Sequence, residues 1–215
     1  MSLTILGDLM PRLDQRRGAC ALIAIKERSR CKTRLSKALG PAARLELVRS
    51  MFTAVLSAAR GAQTVRQIIV VSPERDSVPP DVPVLADTGE CLNGALTQAH
   101  RVLREFGCRE VVILPADLPT ISAADINALV RAGRQGGFAI ASDAAGVGTN
   151  ALCLASAHPF RFQFGADSKR LHLQEAERTG LGAHMIRLPG LEFDVDSPAD
   201  LDRLDRQRWL ARLQA

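Results

Sequence analysis

A basic segment follows the first strongly apolar stretch of the chain. Residues 26–34 read KERSRCKTR and contain Lys26, Lys32 and Arg34. Several cations in one short segment can make charge-assisted contacts with the oxygens of a polyphosphate. The segment has no glycine, so it matches neither a P-loop nor a dinucleotide-binding motif. We predict that these three side chains and Lys37 meet a polyphosphate, and a solvated basic loop is the alternative, above all for Lys37.

A single acidic residue follows a second apolar stretch, over residues 110–114. Asp117 lies there between Pro115 and Pro119, and the ring of each proline fixes its own backbone angle φ. Mg²⁺ prefers hard oxygen ligands, and a carboxylate at the end of a buried strand is well placed to supply one. We therefore predict a metal-binding role for Asp117, with a simple turn-forming role as the alternative.

A pair of acidic residues lies near the C-terminus. We predict a strand over residues 192–196, which would point Asp194 and Asp196 to the same face. Two carboxylates this close repel each other unless a cation lies between them. The pair is a second candidate for Mg²⁺ binding, although Asp196 also precedes Ser197 at the start of a predicted helix.

Apolar and amphipathic segments alternate through most of the chain, which predicts the elements that hold these residues. We expect strands over residues 19–25, 67–72, 84–86, 110–114, 138–141, 151–155, 185–188 and 192–196. We expect helices over residues 41–60, 92–106, 123–132 and 168–177, and a last helix after Ser197. This order predicts an α/β fold with a mostly parallel sheet, in which ligands bind at the carboxyl ends of strands.

The organisation of the chain is simple. Residues 1–18 have no clear pattern and are predicted to be an N-terminal arm or extension. Residues 19–215 contain no internal repeat and no break in composition, so we predict a single domain there. The chain has 215 residues, of which 47% are hydrophobic and 24% charged, a balance typical of a globular protein with a substantial core.

Composition also excludes several classes. Aromatic residues are 4% and tyrosine is absent, which argues against nucleic-acid binding despite the net charge of +5. No apolar stretch approaches the ~20 residues of a membrane span, and no signal peptide is visible, so we expect a cytoplasmic protein.

The five cysteines are widely spaced without a Cys-x-x-Cys motif, and we expect reduced thiols. The four histidines lack metal-ligand spacing.

Six short motifs occur in one order along the sequence. They are Lys32-Thr33-Arg34-Leu35 (preceded by Lys26), Leu92-Asn93, LPADLP at 114–119, GTNAL at 148–152, FGADS at 164–168 and FDVDSPADL at 193–201. Together they resemble the 2-phospho-L-lactate guanylyltransferase (CofC-type) family, over roughly the region that we predict to be the single domain. The GTNAL and FGADS pair is the most specific, because LPADLP also occurs in related nucleotidyltransferases.

The resemblance implies a Rossmann-like nucleotidyltransferase (GT-A-like) three-layer sandwich with a mostly parallel mixed sheet. It also implies a guanylyltransferase of coenzyme F420 biosynthesis. Such an enzyme transfers GMP from GTP to the phosphate of a three-carbon phospho-acid and releases pyrophosphate. The acceptors known in the family are 2-phospho-L-lactate, phosphoenolpyruvate and 3-phospho-D-glycerate, and the sequence leaves the choice among them open.

Each matching motif allows the role of a family residue to be assigned to a position of this sequence. The resemblance implies acceptor binding by Thr149, Asn150, Gly165, Ser168 and Lys169. It implies nucleotide binding by Lys26, Leu92, Asn93, Pro115 and Ala116, and catalytic roles for Lys26, Lys32, Arg34 and Asp117. The Mg²⁺ ligands would be Asp117, Asp194 and Asp196. Physical reasoning agrees for Ser168, since the N-terminus of a helix attracts anions, and for Gly165, which permits close backbone approach.

Three alternatives remain open on the sequence alone. One is a related nucleotidyltransferase of the molybdenum-cofactor or sugar-phosphate type with another phosphorylated acceptor. Another is a binding module that keeps the fold without turnover, and the weakest is a nucleic-acid binder. For the favoured function the expected partners are GTP and the phospho-acid, without nucleic acid or membrane. A homodimer and a downstream transferase that receives the product are also expected.

Overall fold

The computed structural model describes residues 18–25, 32–87, 91–157 and 159–204. The predicted N-terminal arm therefore lies outside the described residues, apart from Gly18. Lys26 also lies outside them. Within the described part of the chain, no helix is long and apolar enough to cross a membrane.

One mixed β-sheet forms the centre of the described structure. Its strands are β1 (Ala19–Ala24), β2 (Val65–Ser72), β3 (Val84–Ala86), β4 (Glu110–Pro115), β5 (Gly137–Ser142), β6 (Thr149–Ala155) and β7 (Gly182–Ile186). They lie in the order β3-β2-β1-β4-β6-β5-β7. Strand β6 runs antiparallel to both of its neighbours, whereas the other pairs are parallel. The prediction of a mostly parallel mixed sheet is confirmed.

The reversal of β6 decides which residues meet at one edge of the sheet. Because β6 is antiparallel to β4 and β5, its first residues lie beside the carboxyl ends of those strands. Ser142 at the end of β5 is thus paired with Thr149 at the start of β6. Side chains that follow β1, β4 and β5 and side chains that begin β6 therefore share one edge.

Helices cover both faces of the sheet. They are α1 (Pro41–Gly61), α2 (Leu92–Glu105), α3 (Ala123–Gly136), α4 (Ser168–Arg178), α5 (Pro189–Glu192) and α6 (Pro198–Arg203). Capping boxes confirm two of the predicted helix starts. Ser122 and Asp125 form a capping box at α3, and Ser197 and Asp200 form another at α6.

The core has a layer on each face of the sheet, set by the alternation of side chains along each strand. In β1, Ala21 and Ile23 pack with α1 and α3, whereas Leu22 and Ala24 pack with α2 and α4. Both sets are buried. A strand buried on both faces accounts for the continuous apolar stretch in the sequence.

A third, smaller cluster of buried residues lies beside the edge where β1 and β4 end. It joins Leu35 of a short 3₁₀ helix (Thr33–Leu35) and Val195 to Met51 on α1 and Leu201 on α6. Leu35 and Val195 are fully buried. Since Leu35 is close in sequence to Lys32, and Val195 lies between two aspartates, this cluster fixes the backbone that carries the charged residues.

The predicted strand over residues 192–196 is wrong. Glu192 ends the short helix α5, and residues 193–196 belong to no strand. Val195 packs into the third cluster instead of the sheet, which removes the reason to expect a strand. The argument that Asp194 and Asp196 share a strand face therefore fails. The prediction for β7 is displaced as well, since the strand covers Gly182–Ile186 rather than residues 185–188.

The expectation of reduced thiols is wrong for two cysteines. Cys20 and Cys108 form a disulfide with their Cα atoms 6.7 Å apart. They are separated by 88 positions in the sequence, and they meet because β1 pairs with β4, the strand that follows Cys108. Of the other described cysteines, Cys91 is exposed and Cys153 is buried, and both are free thiols.

Candidate active site

A cleft of about 310 Å³ opens at the edge where β1, β4 and β5 end and β6 begins. This is the position that parallel α/β sheets use for ligands. Eleven of the residues predicted for the site line it: Lys32, Leu92, Pro115, Ala116, Asp117, Thr149, Asn150, Gly165, Ser168, Asp194 and Asp196. The structure thus brings together residues that are scattered over most of the sequence.

Lys32 bridges two of the predicted metal ligands. Its Nζ atom donates to Oδ2 of Asp117 at 2.7 Å and to Oδ1 of Asp196 at 2.5 Å. Only 8% of the Lys32 side chain is exposed. Burial alone would lower the pKa of this ammonium group, but the charges of the two carboxylates outweigh it and hold the pKa above its ordinary value. Lys32 is therefore a firmly charged cation between two acids.

The third acid, Asp194, lies in surroundings that disfavour its negative charge. Asp194 is partly buried, and its Oδ1 accepts a hydrogen bond from Nδ2 of Asn150 at 3.3 Å. Desolvation raises the pKa of Asp194, and the neighbouring charges of Asp117 and Asp196 raise it further. A carboxyl group whose pKa is raised by other carboxylates lies where an added cation would be stabilised.

These acids are suited to Mg²⁺ by chemistry, since they offer hard carboxylate oxygens beside a cleft. Among the described residues, however, no three metal-binding side chains are already gathered around one point. The Lys32 ammonium lies between Asp117 and Asp196, in the space between these two carboxylates. The chemistry of the three acids fits a divalent cation, and in this structure Lys32 neutralises two of them.

Neutral polar groups also line the cleft. Thr149 is buried at the start of β6, and Ser168 is buried as the first residue of α4. Gly165 has a φ of +131°, a conformation that favours glycine because other residues have a Cβ atom. Hydroxyl groups and backbone near a helix N-terminus are suited to bind an anion.

Among the described residues, Arg34, Asn93 and Lys169 are predicted site residues that do not line the cleft. Arg34 is exposed, and Lys26 lies outside the described residues. The side-chain amide of Asn93 pairs with both backbone groups of Phe164. Its Nδ2 donates to the carbonyl at 3.0 Å, and its Oδ1 accepts from the N–H at 2.7 Å. Lys169 donates to the Gly146 carbonyl at 2.8 Å. Asn93 and Lys169 therefore brace loops that border the cleft.

Sequence reasoning missed other residues that line the cleft, notably Asp143, Phe164 and Met51. Asp143 follows β5 as Asp117 follows β4, so the same rule about strand ends could have found it. Its Oδ1 accepts from the Val147 N–H at 2.9 Å. Phe164 begins a quoted motif, but Met51 gave no signal beyond its place on an amphipathic helix.

The sheet order, with a charged cleft at the strand ends, corresponds to the Rossmann-like fold of nucleotidyltransferases. A similar fold occurs in a crystal structure described as a nucleotide-diphospho-sugar transferase from Desulfovibrio desulfuricans G20. The TM-score is 0.73 at 19% identity, and the match covers 88% of this chain and 87% of that one.

The model of the family "Guanylyl transferase CofC like" matches residues 19–204, and the chain belongs to this family. The phosphoenolpyruvate guanylyltransferase of Rubrobacter xylanophilus is 38% identical over 191 residues, which are 86% of this chain and 92% of the relative. That of Sphaerobacter thermophilus is 35% identical over 188 residues, 86% and 91% of the two chains. The predicted family, fold and enzyme class are confirmed.

Proposed function

We propose that the protein transfers GMP from GTP to the phosphate of a three-carbon phospho-acid, in the biosynthesis of coenzyme F420. Among the three acceptors of the family we favour phosphoenolpyruvate, because the relatives described above are named as phosphoenolpyruvate guanylyltransferases. The observation that carries the proposal is the cleft itself. Its lining combines acids and a lysine with neutral donors around the start of α4.

Two sets of lining residues suit the two substrates. Pro115 and Ala116 at the end of β4, with Leu92 at the start of α2, offer a mostly apolar border for the guanosine. Thr149, Gly165 and Ser168 suit the phosphate and carboxylate of the acceptor, and Asn150 follows Thr149 and donates to Asp194. Lys26, Asn93 and Lys169 remain part of the proposal as predicted contacts.

The reaction needs positioning and charge neutralisation. An oxygen of the acceptor phosphate attacks the α-phosphorus of GTP, a new P–O bond forms, and the bond from the α-phosphorus to the bridging oxygen breaks. Pyrophosphate leaves with that electron pair. The attacking phosphate is already ionised at pH 7, so no side chain has to remove a proton. This agrees with a cleft whose described lining contains no histidine or cysteine.

Metal binding belongs to the same proposal. Asp117, Asp194 and Asp196 would hold Mg²⁺, which supplies charge neutralisation at the phosphates when it is bound. Lys32, and by resemblance Lys26 and Arg34, would then contact the phosphate oxygens and stabilise the charge on the leaving pyrophosphate. A cytoplasmic location, a homodimer and transfer of the product to a downstream transferase complete the proposal as expectations from the sequence.

The test is release of pyrophosphate from GTP and Mg²⁺ with each acceptor in turn and with all three in competition. We expect turnover with phosphoenolpyruvate above the other two. Turnover with another family acceptor would overturn the choice of phosphoenolpyruvate alone. A folded protein that is silent with all three acceptors would overturn the proposed function, and activity with a different phosphorylated acceptor would favour the related nucleotidyltransferases instead.

A further inference from the structure

A buried histidine outside the cleft touches one of the residues that line it. His172 lies on α4 and is fully buried. Its Nδ1 atom lies 3.0 Å from Oγ1 of Thr149, and its Nε2 atom accepts from the backbone N–H of Gln163 at 2.9 Å. The imidazole therefore joins the segment that precedes α4 to the first residue of β6.

The Gln163 contact fixes where the proton of the ring lies. A backbone N–H can only donate, so Nε2 of His172 must be the acceptor and carries no proton. A neutral imidazole then has its proton on Nδ1. That N–H donates to Thr149, and the Thr149 hydroxyl accepts it. The hydroxyl proton of Thr149 is left to be donated elsewhere.

The ring is held neutral and in place by its surroundings. Desolvation by burial lowers the pKa of His172 to about 4, against a smaller opposing effect of Glu175. The ring of Phe164 meets the imidazole edge-on with a centroid distance of 4.8 Å, and that of Phe160 stacks on it at 6.1 Å. Two aromatic contacts and two hydrogen bonds leave the ring a single orientation.

We propose that His172 is a positioning residue for the acceptor, because it orients the Thr149 hydroxyl as a donor towards the cleft. Thr149 lines the cleft, and an anion there needs donors and no acceptors. Without the N–H of His172, the hydroxyl could rotate and present a lone pair to the anion. This inference rests on the proposed function, since the anion concerned is the acceptor substrate.

Two substitutions separate the two hydrogen bonds of the ring. In His172→Asn the side-chain amide nitrogen can occupy the position of Nδ1 and still donate to Thr149. In His172→Gln the amide oxygen can reach the position of Nε2 and accept from Gln163, but the donor to Thr149 is lost. We expect the KM for phosphoenolpyruvate to rise about tenfold in His172→Gln and clearly less in His172→Asn, with the KM for GTP unchanged in both.

A double-mutant cycle tests whether the effect passes through the hydroxyl. Thr149→Val removes the hydroxyl, and we expect His172→Gln to add nothing to the acceptor KM in that background. Thr149→Ser is the matched control and should keep the full effect of His172→Gln. An equal rise in the Thr149→Val background, or an equal rise in the KM for GTP, would overturn the inference.

A measurement on the unaltered chain covers the case in which the variants fold poorly. Long-range ¹H–¹⁵N spectra of the ¹⁵N-labelled protein distinguish the two neutral tautomers of each histidine. We expect His172 to carry its proton on Nδ1 at pH 7, and a proton on Nε2 would refute the argument. The failure of the proposed function is distinguishable, because it would appear as absent turnover in a protein with the expected tautomer.

Discussion

The Nζ atom of Lys32 lies 2.7 Å from Oδ2 of Asp117, in direct contact with a residue that we propose as a metal ligand. The same ammonium also contacts Asp196. A divalent cation and a lysine ammonium are alternatives for the space between two carboxylates, since each neutralises the same charges. Binding of metal with GTP should therefore release Lys32, which then becomes available to the phosphates.

The first prediction concerns this competition. In Lys32→Met, the free protein should bind Mn²⁺ several-fold more tightly than the unaltered protein when GTP is absent, because no ammonium competes for the carboxylates. Turnover should nevertheless fall by tenfold or more, because a cation is lost from the phosphates. Electron paramagnetic resonance of free Mn²⁺ measures the affinity, and pyrophosphate release measures the turnover.

Two controls accompany that experiment. Lys37→Met removes an exposed lysine from the same region and should change neither quantity. Asp117→Asn should abolish turnover and weaken Mn²⁺ binding while the fold is kept. Mn²⁺ affinity that falls in Lys32→Met would contradict the competition, and unchanged turnover in Asp117→Asn would contradict its role as a ligand.

The second prediction concerns the acceptor side of the cleft. Ser168 is 2% exposed, and its replacement by alanine removes a hydroxyl group without adding volume. A hydrogen bond to a charged group contributes about 1.5–3 kcal/mol, so Ser168→Ala should raise the acceptor KM about tenfold or more. The KM for GTP should change little. An equal effect on both substrates would move Ser168 away from the acceptor.

A matched control exists for Ser168 in another part of the fold. Ser156 is 1% exposed, and its hydroxyl has no hydrogen-bond partner among the described residues. Ser156→Ala should leave both KM values unchanged. A similar rise in the acceptor KM there would point to a general effect of the loss of a buried hydroxyl.

The third prediction is a dependence of stability on pH. Desolvation lowers the pKa of His100 to about 4, with a further contribution from the charge of Arg104, and burial does the same for His172. Unfolded histidine has a pKa of about 6.5, so the unfolded chain binds more protons between these values. The stability from the two neutral rings is full above about pH 6.5 and is lost as pH falls towards 4.

The free energy of unfolding, from urea denaturation at several pH values, measures this effect. Each histidine should contribute a slope of up to about 1.4 kcal/mol per pH unit. His100→Leu should remove about half of the combined slope, because it removes one of the two histidines. The replacement breaks no hydrogen bond at Nε2, which has no partner among the described residues. A slope that is unchanged in His100→Leu would show that other groups govern the dependence.

The fourth prediction concerns the third core cluster. Leu35→Ala should reduce the free energy of unfolding by about 2–5 kcal/mol. It should also raise the KM for GTP, because Leu35 anchors the backbone next to Lys32. Leu103 on α2 is as well buried but packs in another layer. Leu103→Ala should cost similar stability with an unchanged KM for GTP, and a rise in both variants would separate the cluster from the site.

The sequence predicted the parts of the site that depend on local order. Asp117 could be located because it follows a buried strand, and the carboxyl end of such a strand points to a ligand edge. The start of α4 could be located because Ser168 precedes a helical pattern. In both cases the chemistry depends on a few neighbouring residues, and neighbours are visible in a sequence.

The contacts across long separations could not be predicted in this way. Lys32 meets Asp117 across 85 positions and Asp196 across 164, which depends on how β1 and β4 pair and on the third cluster. The prediction for residues 192–196 failed because Val195 has the pattern of a strand residue but packs against α1 and α6. His172 was passed over for the same reason, since its partners become neighbours only in the folded chain.

Because β6 is reversed, the residues that line the cleft for the two substrates come from different stretches of the sequence. The proposed acceptor contacts all fall between Thr149 and Lys169, whereas Lys32, the metal ligands and the guanosine border come from before and after this stretch. Acceptor preference should therefore be transferable between relatives by exchange of this one segment. A chimera that takes only residues 143–169 from a relative with another acceptor would acquire that relative's preference and keep its own use of GTP.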